Sequence, residues 1–142
     1  MTDEEFEGED KEEAALARFG LPARLSDRPE IIRTLEEEMR LDNDLCNESL
    51  MRLLCVQLFS LGMVEDSLRI WQAKSHNFDA FCGIDVQILC GAGLEQTKGF
   101  LSGSSDEEAT KAFEYLREAE AAGDFNGFDV RGALEEHRSY YI

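Results

Sequence analysis

Basic residues are scarce in this chain: 14 lysines and arginines stand against 31 aspartates and glutamates, for a formal net charge of −17. A field of that sign repels phosphate backbones and anionic bilayers, which argues against nucleic acid and membrane as partners. Proline is rare too, with two in 142 residues, and no stretch alternates apolar and polar residues for long. Little therefore breaks a helical reading, and little supports a sheet. The longest uncharged apolar run, inside Leu53–Met63, is too short to cross a bilayer. Met1–Asp10 has neither a basic start nor an apolar stretch, so a secretory signal is not expected and the cytoplasm is the expected location.

Catalytic and metal signatures are also missing. The four cysteines, Cys46, Cys55, Cys82 and Cys90, form no C-x-x-C pair and are expected as reduced, buried thiols. Neither histidine has the preceding glutamate of a di-iron helix: Ala73 stands three residues before His76, and Leu134 before His137. A calcium loop starting at Asp124 fails because Asp129 replaces the turn glycine and Phe128 a ligand. No phosphate-cradling G-x-x-x-x-G-K-[ST] occurs. No cofactor or metal is expected, and an enzyme is the less favoured reading.

What is present is amphipathic helix. Leu50 to Leu61 is apolar almost all round and predicts a helix buried on nearly every side, ended by Gly62; Val64, Leu68, Ile70 and Trp71 then resume an apolar stripe. The acid-rich segment 1–10 predicts a flexible tail, and 11–142 a single all-helical domain. A first helix is expected from about Asp10 to Phe19, stopped by Gly20. Asp27-Arg28-Pro29-Glu30 has capping-box spacing and opens a helix to about Leu41, with Ile31, Ile32, Leu35 and Met39 inward. On its wet side, Arg33 with Glu37 and Glu36 with Arg40 are one turn apart, as ion pairs require. Asp42, Asn43 or Asp44 can cap the buried helix, and Asp79 can open another through Ile88, with glycines giving close contacts or a break near Gly91. Leu94–Leu101, a helix capped at Ser105 and stopped by Gly123, and a last helix capped by Asp129 complete the chain.

Met51, Leu54, Cys55 and Leu58 on one helix, Gly62 at the turn, and Ser67 and Trp71 on the next have the order of a tetratricopeptide (TPR) helical-repeat unit. Ala109 and Phe113, preceded by Leu94, Thr97 and Leu101, take the corresponding places of a second unit. The chain thus resembles a divergent, TPR-like helical-repeat protein over about Glu48–Gly123. It departs from the pattern at Lys74, where that family prefers a small residue, and in lacking the terminal proline. The expected class is all-α: stacked αα-hairpins, or a compact helical bundle, of about seven helices.

The resemblance implies recognition of an extended peptide or a partner's helix. Combined with the charge, it predicts an acidic protein–protein interaction module for a basic protein or peptide, as an adaptor or as an inhibitor of the immunity type. The candidate partner-binding residues are the acids expected to be exposed: Glu36, Glu37, Glu38, Glu65, Asp66, Glu107 and Glu108. The alternative is an enzyme or small-ligand-binding helical domain with a dispersed site near His76, Cys82 and Asp85. A polar pocket holding His76 and Cys82 favours that alternative; a filled core with a shallow acidic groove favours the binding module.

Overall fold

One helix, α3 (Glu48–Leu61), is the axis of the molecule: every residue from Leu50 to Phe59 except Arg52 is buried. A helix apolar on all faces needs neighbours on all faces. They are α1 (Asp3–Phe19) and α2 (Arg28–Met39), then α4 (Asp66–Lys74), α5 (Phe78–Gly83) and a 3-10 turn over Val86–Cys90, and finally α8 (Val130–Tyr141). The pair α6 (Leu94–Ser102) and α7 (Glu107–Ala121) packs outside that layer, against the 3-10 turn and α4. The computed structural model describes residues 3–142, with side chains from Lys11 onward. The fold is an all-α compact helical bundle, 71% helical, with eight α-helices and no strand among the described residues.

Helix ends follow glycine and Asx chemistry, sometimes a few residues from where the sequence pattern puts them. Gly20, Gly62 and Gly123 all have positive φ and follow the last turns of α1, α3 and α7, as expected. Asp129 caps α8, accepting from Gly132 N at 2.7 Å. The cap of α3 is Asn47, which accepts from Leu50 N, rather than Asp42, Asn43 or Asp44, whose segment is spent in a turn of its own. Asp106 caps α7 in place of Ser105. Asp27 makes no cap bond: its backbone is helical (φ −91°, ψ −6°), as the last residue of a 3-10 turn over Leu25–Asp27, and its Oδ2 accepts from Arg24 Nε and an Nη at 3.1 and 3.0 Å. The helix expected from Asp79 starts one residue earlier, behind Asn77, and breaks at Ile84 and Asp85, whose backbones are extended. α1 starts at Asp3 rather than near Asp10; acids in the first turns of a helix face its positive dipole end. Of the segment expected as a tail, Met1 and Thr2 lie outside the described residues, as do all side chains of 1–10.

Buried polar groups tie the layers together. Gln57, fully buried in α3, donates from Nε2 to Ala15 O and Gly20 O, both at 3.1 Å, and so satisfies carbonyls at the end of α1. Lys74 is buried and donates from Nζ to Phe81 O at 2.6 Å and to Ile84 O, closing the end of α5. Its ammonium lies 4.5 Å from the centre of the Phe81 ring. The large residue at this position therefore has a job that a small one could not do.

Candidate functional site

Helix α2 stands as a ridge between two open grooves, because its buried stripe of Ile31 and Leu35 is narrow and its flanks stay wet. The groove between α2 and α4 encloses about 420 Å³. Leu35, Met39 and Leu68 line it with apolar surface, and Glu36, Arg40, Glu65 and Arg69 with charge. On the other flank, a groove of about 390 Å³ lies between α1 and α2, with apolar surface from Ala14, Ala15, Phe19, Leu41 and Leu50. Lys11, Arg18, Glu37 and Glu38 supply its charge.

The charges in these grooves are not balanced in what they offer a ligand. Three of the cations are engaged within the fold: Arg69 with Asp66 at 3.1 Å, Arg18 with Glu30, and Lys11 with Glu38 at 3.5 Å. Glu36, Glu37 and Glu65 are exposed, and no ion pair within 4.0 Å among the described residues involves them. The expected pairs Arg33–Glu37 and Glu36–Arg40 do not form, so among the described residues Glu36 and Glu37 remain open on either side of the ridge, as does Arg40, the fourth cation lining the grooves.

Of the seven candidate acids, Glu36 and Glu65 line the first groove and Glu37 and Glu38 the second. Two differ from the expected exposure. Asp66 is fully buried, held by Arg28 from Nε at 2.9 Å and from an Nη at 2.7 Å, as well as by Arg69. That fork raises the Arg28 pKa, mainly through the hydrogen bond, and makes Asp66 a structural anchor between α2 and α4. Glu38 is 4% exposed, and its Oε2 is buried with no hydrogen-bond partner among the described residues. Glu107 and Glu108 line neither groove; Glu107 is exposed, while Glu108 accepts from Trp71 Nε1 at 3.1 Å and pairs with Lys111. Trp71 is correspondingly a core residue, 7% exposed.

The alternative site is divided. Cys82 and Asp85 do meet, in a cleft of about 410 Å³ with Lys74, Phe81, Tyr115 and Asp124. His76 is not part of that cleft; its Nε2 is buried without a hydrogen-bond partner among the described residues. Burial lowers the Lys74 pKa, and the nearby Asp85 and Cys82 charges oppose that shift. The Lys74 ammonium is already donating to two backbone carbonyls. Cys82 is exposed, unlike Cys46, Cys55 and Cys90, which are buried as expected; all four are free thiols. Gln57 had no sequence signal, being one polar residue inside an apolar helix; Lys74 showed only as a departure from the repeat pattern, and nothing set Glu38 apart from Glu36 and Glu37 beside it.

No family model, curated protein or solved structure matches this chain. Among the described residues, no helix is long and apolar enough to cross a membrane, and no three histidine, cysteine or acidic side chains come together as a metal ion needs.

Proposed function

We propose that this protein is a cytoplasmic, TPR-like interaction module that binds a basic protein or peptide along the α2 ridge, as an adaptor or as an inhibitor of the immunity type. One observation carries the reading: among the described residues, three of the four cations lining the grooves, Lys11, Arg18 and Arg69, are engaged internally and only Arg40 is not, while Glu36, Glu37 and Glu65 stay open beside apolar surface. An amphipathic basic segment lying between α2 and α4 sets apolar side chains on Leu35, Met39 and Leu68, and cations over Glu36 and Glu65. The net charge of −17 steers such a segment inward and raises its association rate more than its final affinity.

Fluorescence anisotropy with a labelled amphipathic basic peptide tests this. Binding is expected to weaken steeply with added salt, as the Debye length shrinks to about 3 Å near 1 M. It is also expected to weaken in Glu36→Lys/Glu65→Lys. Equal binding of the charge-reversed peptide, or affinity indifferent to salt, would defeat the proposal.

The second reading, a small-ligand site, is favoured by the cleft that gathers Lys74, Cys82 and Asp85. It ranks second because His76 lies elsewhere and the Lys74 ammonium is occupied.

A further inference from the structure

We infer that Glu38 is a receptor for one lysine side chain of the basic partner, and that Lys11 is an internal stand-in which that lysine displaces. The inference rests on the basic-partner reading above and names the side chain that the α1/α2 groove takes.

Glu38 is under-satisfied for a buried carboxylate. An ionised carboxylate has about four acceptor positions. The one described cation beside it, Lys11 Nζ, stands 3.5 Å from Oε1, whereas charge-assisted N–H···O bonds close to about 2.7–2.9 Å. Oε2 is buried and has no partner among the described residues. Withdrawing such a group from water without pairing it closely is unfavourable, so an ammonium that replaces Lys11 and closes on Oε1 at an ordinary distance recovers part of what burial loses. Lys11 is poorly placed to supply that. Its side chain is 46% exposed, and swinging it into solvent breaks one long contact.

The groove suits the visitor's stem as well as its head. Ala14, Ala15, Phe19, Leu41 and Leu50 line the approach to Glu38 with hydrocarbon, which the four methylenes of a lysine can cover while the ammonium reaches the carboxylate. About 390 Å³ also leaves room for an apolar neighbour of that lysine. Arginine fits less well. Its planar fork is best met by two carboxylate oxygens side by side, whereas here Oε2 is buried and Oε1 alone meets Lys11. The position that seats the Lys11 ammonium seats another ammonium.

The test uses the full chain and labelled oligolysine and oligoarginine peptides of equal length, read by anisotropy at low salt. Lys11→Ala removes the internal competitor and is expected to tighten oligolysine binding about two- to fivefold, the worth of an exposed ion pair. Lys111→Ala is the control, since it makes the same change in net charge on α7, outside this groove, at a side chain 63% exposed. Glu38→Gln keeps the side chain's size and is expected to weaken oligolysine binding about tenfold or more, the range of a hydrogen bond to a charged group. It should also erase any preference over oligoarginine. Should Glu38→Gln melt early, the comparison of Lys11→Ala with Lys111→Ala decides alone. Equal affinities in those two variants, or stronger binding of oligoarginine to the wild type, overturn the lysine site while leaving the basic-partner reading in place. Failure of the wild type to bind either peptide overturns both.

Discussion

Replacing Gly91 with alanine sets a methyl group against the backbone of α3. An ideal Cβ at this position lies 2.5 Å from Phe59 O, 3.1 Å from Phe59 Cα and 3.2 Å from Phe59 C. Conformation is not the obstacle: Gly91 has φ −61° and ψ −26°, which any residue adopts. Space is. Ordinary contact begins near 3.4 Å, so the turn after Val86–Cys90 must retreat about 0.9 Å from a helix that is buried without a break from Leu53 to Phe59. A shift of that size loosens Ile88, Leu89 and Cys90 from the core, each at most 2% exposed. Overpacking of this kind costs about 3 kcal/mol, or roughly 10 °C in Tm for a chain this long. Gly99→Ala is the matched control. Gly99 lies inside α6, where an added methyl group meets nothing within 4 Å, so alanine there stabilises by about 0.5–1 kcal/mol. Thermal and urea melts of both variants check the pair. A Gly91→Ala protein melting with the wild type would show that the 3-10 turn does not sit against Phe59 as described.

Asp66→Ala strands the partly exposed Arg28 guanidinium at the α2/α4 seam and is expected to lower stability by about 2–3 kcal/mol in urea unfolding, whereas Arg69→Ala, at a side chain 40% exposed, costs about 1 kcal/mol or less. Equal losses would contradict the assignment of Asp66 as anchor. A thiol reagent should modify Cys82 alone in the folded protein and all four cysteines in denaturant. Burial pushes the Cys46 thiol up to about 11 and Cys90 to about 12, so these two lack thiolate as well as access. His137, edge-on to Phe59 with ring centres 5.8 Å apart, has its pKa lowered by burial and by the nearby Arg52 charge, against the pull of Asp85 and Glu136. As pH falls, the unfolded chain binds the proton first; the stability carried by neutral His137 is complete above about pH 6.5 and is lost as pH drops through the lowered folded value. His137→Gln should flatten the stability profile in that window, and an unchanged slope would assign the dependence to other groups.

The parts of this fold that could be read in advance are those set by residues close in sequence. Apolar spacing placed α3 and its neighbours, and Gly20, Gly62, Gly123 and Asp129 marked ends, because a left-handed turn or an Asx cap is decided within a few residues. Caps were misplaced where several Asx or Ser residues compete: Asn47 follows Asp42, Asn43 and Asp44, and Asp106 follows Ser105. The candidate site was half legible. Glu36, Glu37 and Glu65 are exposed on the ridge and its flank, but Glu38 and Asp66, each adjacent to one of them, are buried. Which of two neighbouring acids turns inward depends on what the rest of the chain packs against it, as Arg28, 38 residues away, does for Asp66. No local pattern carries that information. The same holds for Lys74, whose acceptors belong to the next helix.

The fastening of α1 bears on how the groove beside it opens. Gln57 grips Ala15 and Gly20, Ser60 takes the amide of Ala23, and Arg138 reaches Leu21, so three side chains clamp the helix's far end and the connector behind it. A rod clamped at one end behaves as a lever. Lys11 lies about 13 Å up that lever from Gly20, and a tilt of only about 5° carries it sideways by about 1 Å. Small pivoting at the clamp would therefore change the gap at the mouth, where Lys11 faces Glu38.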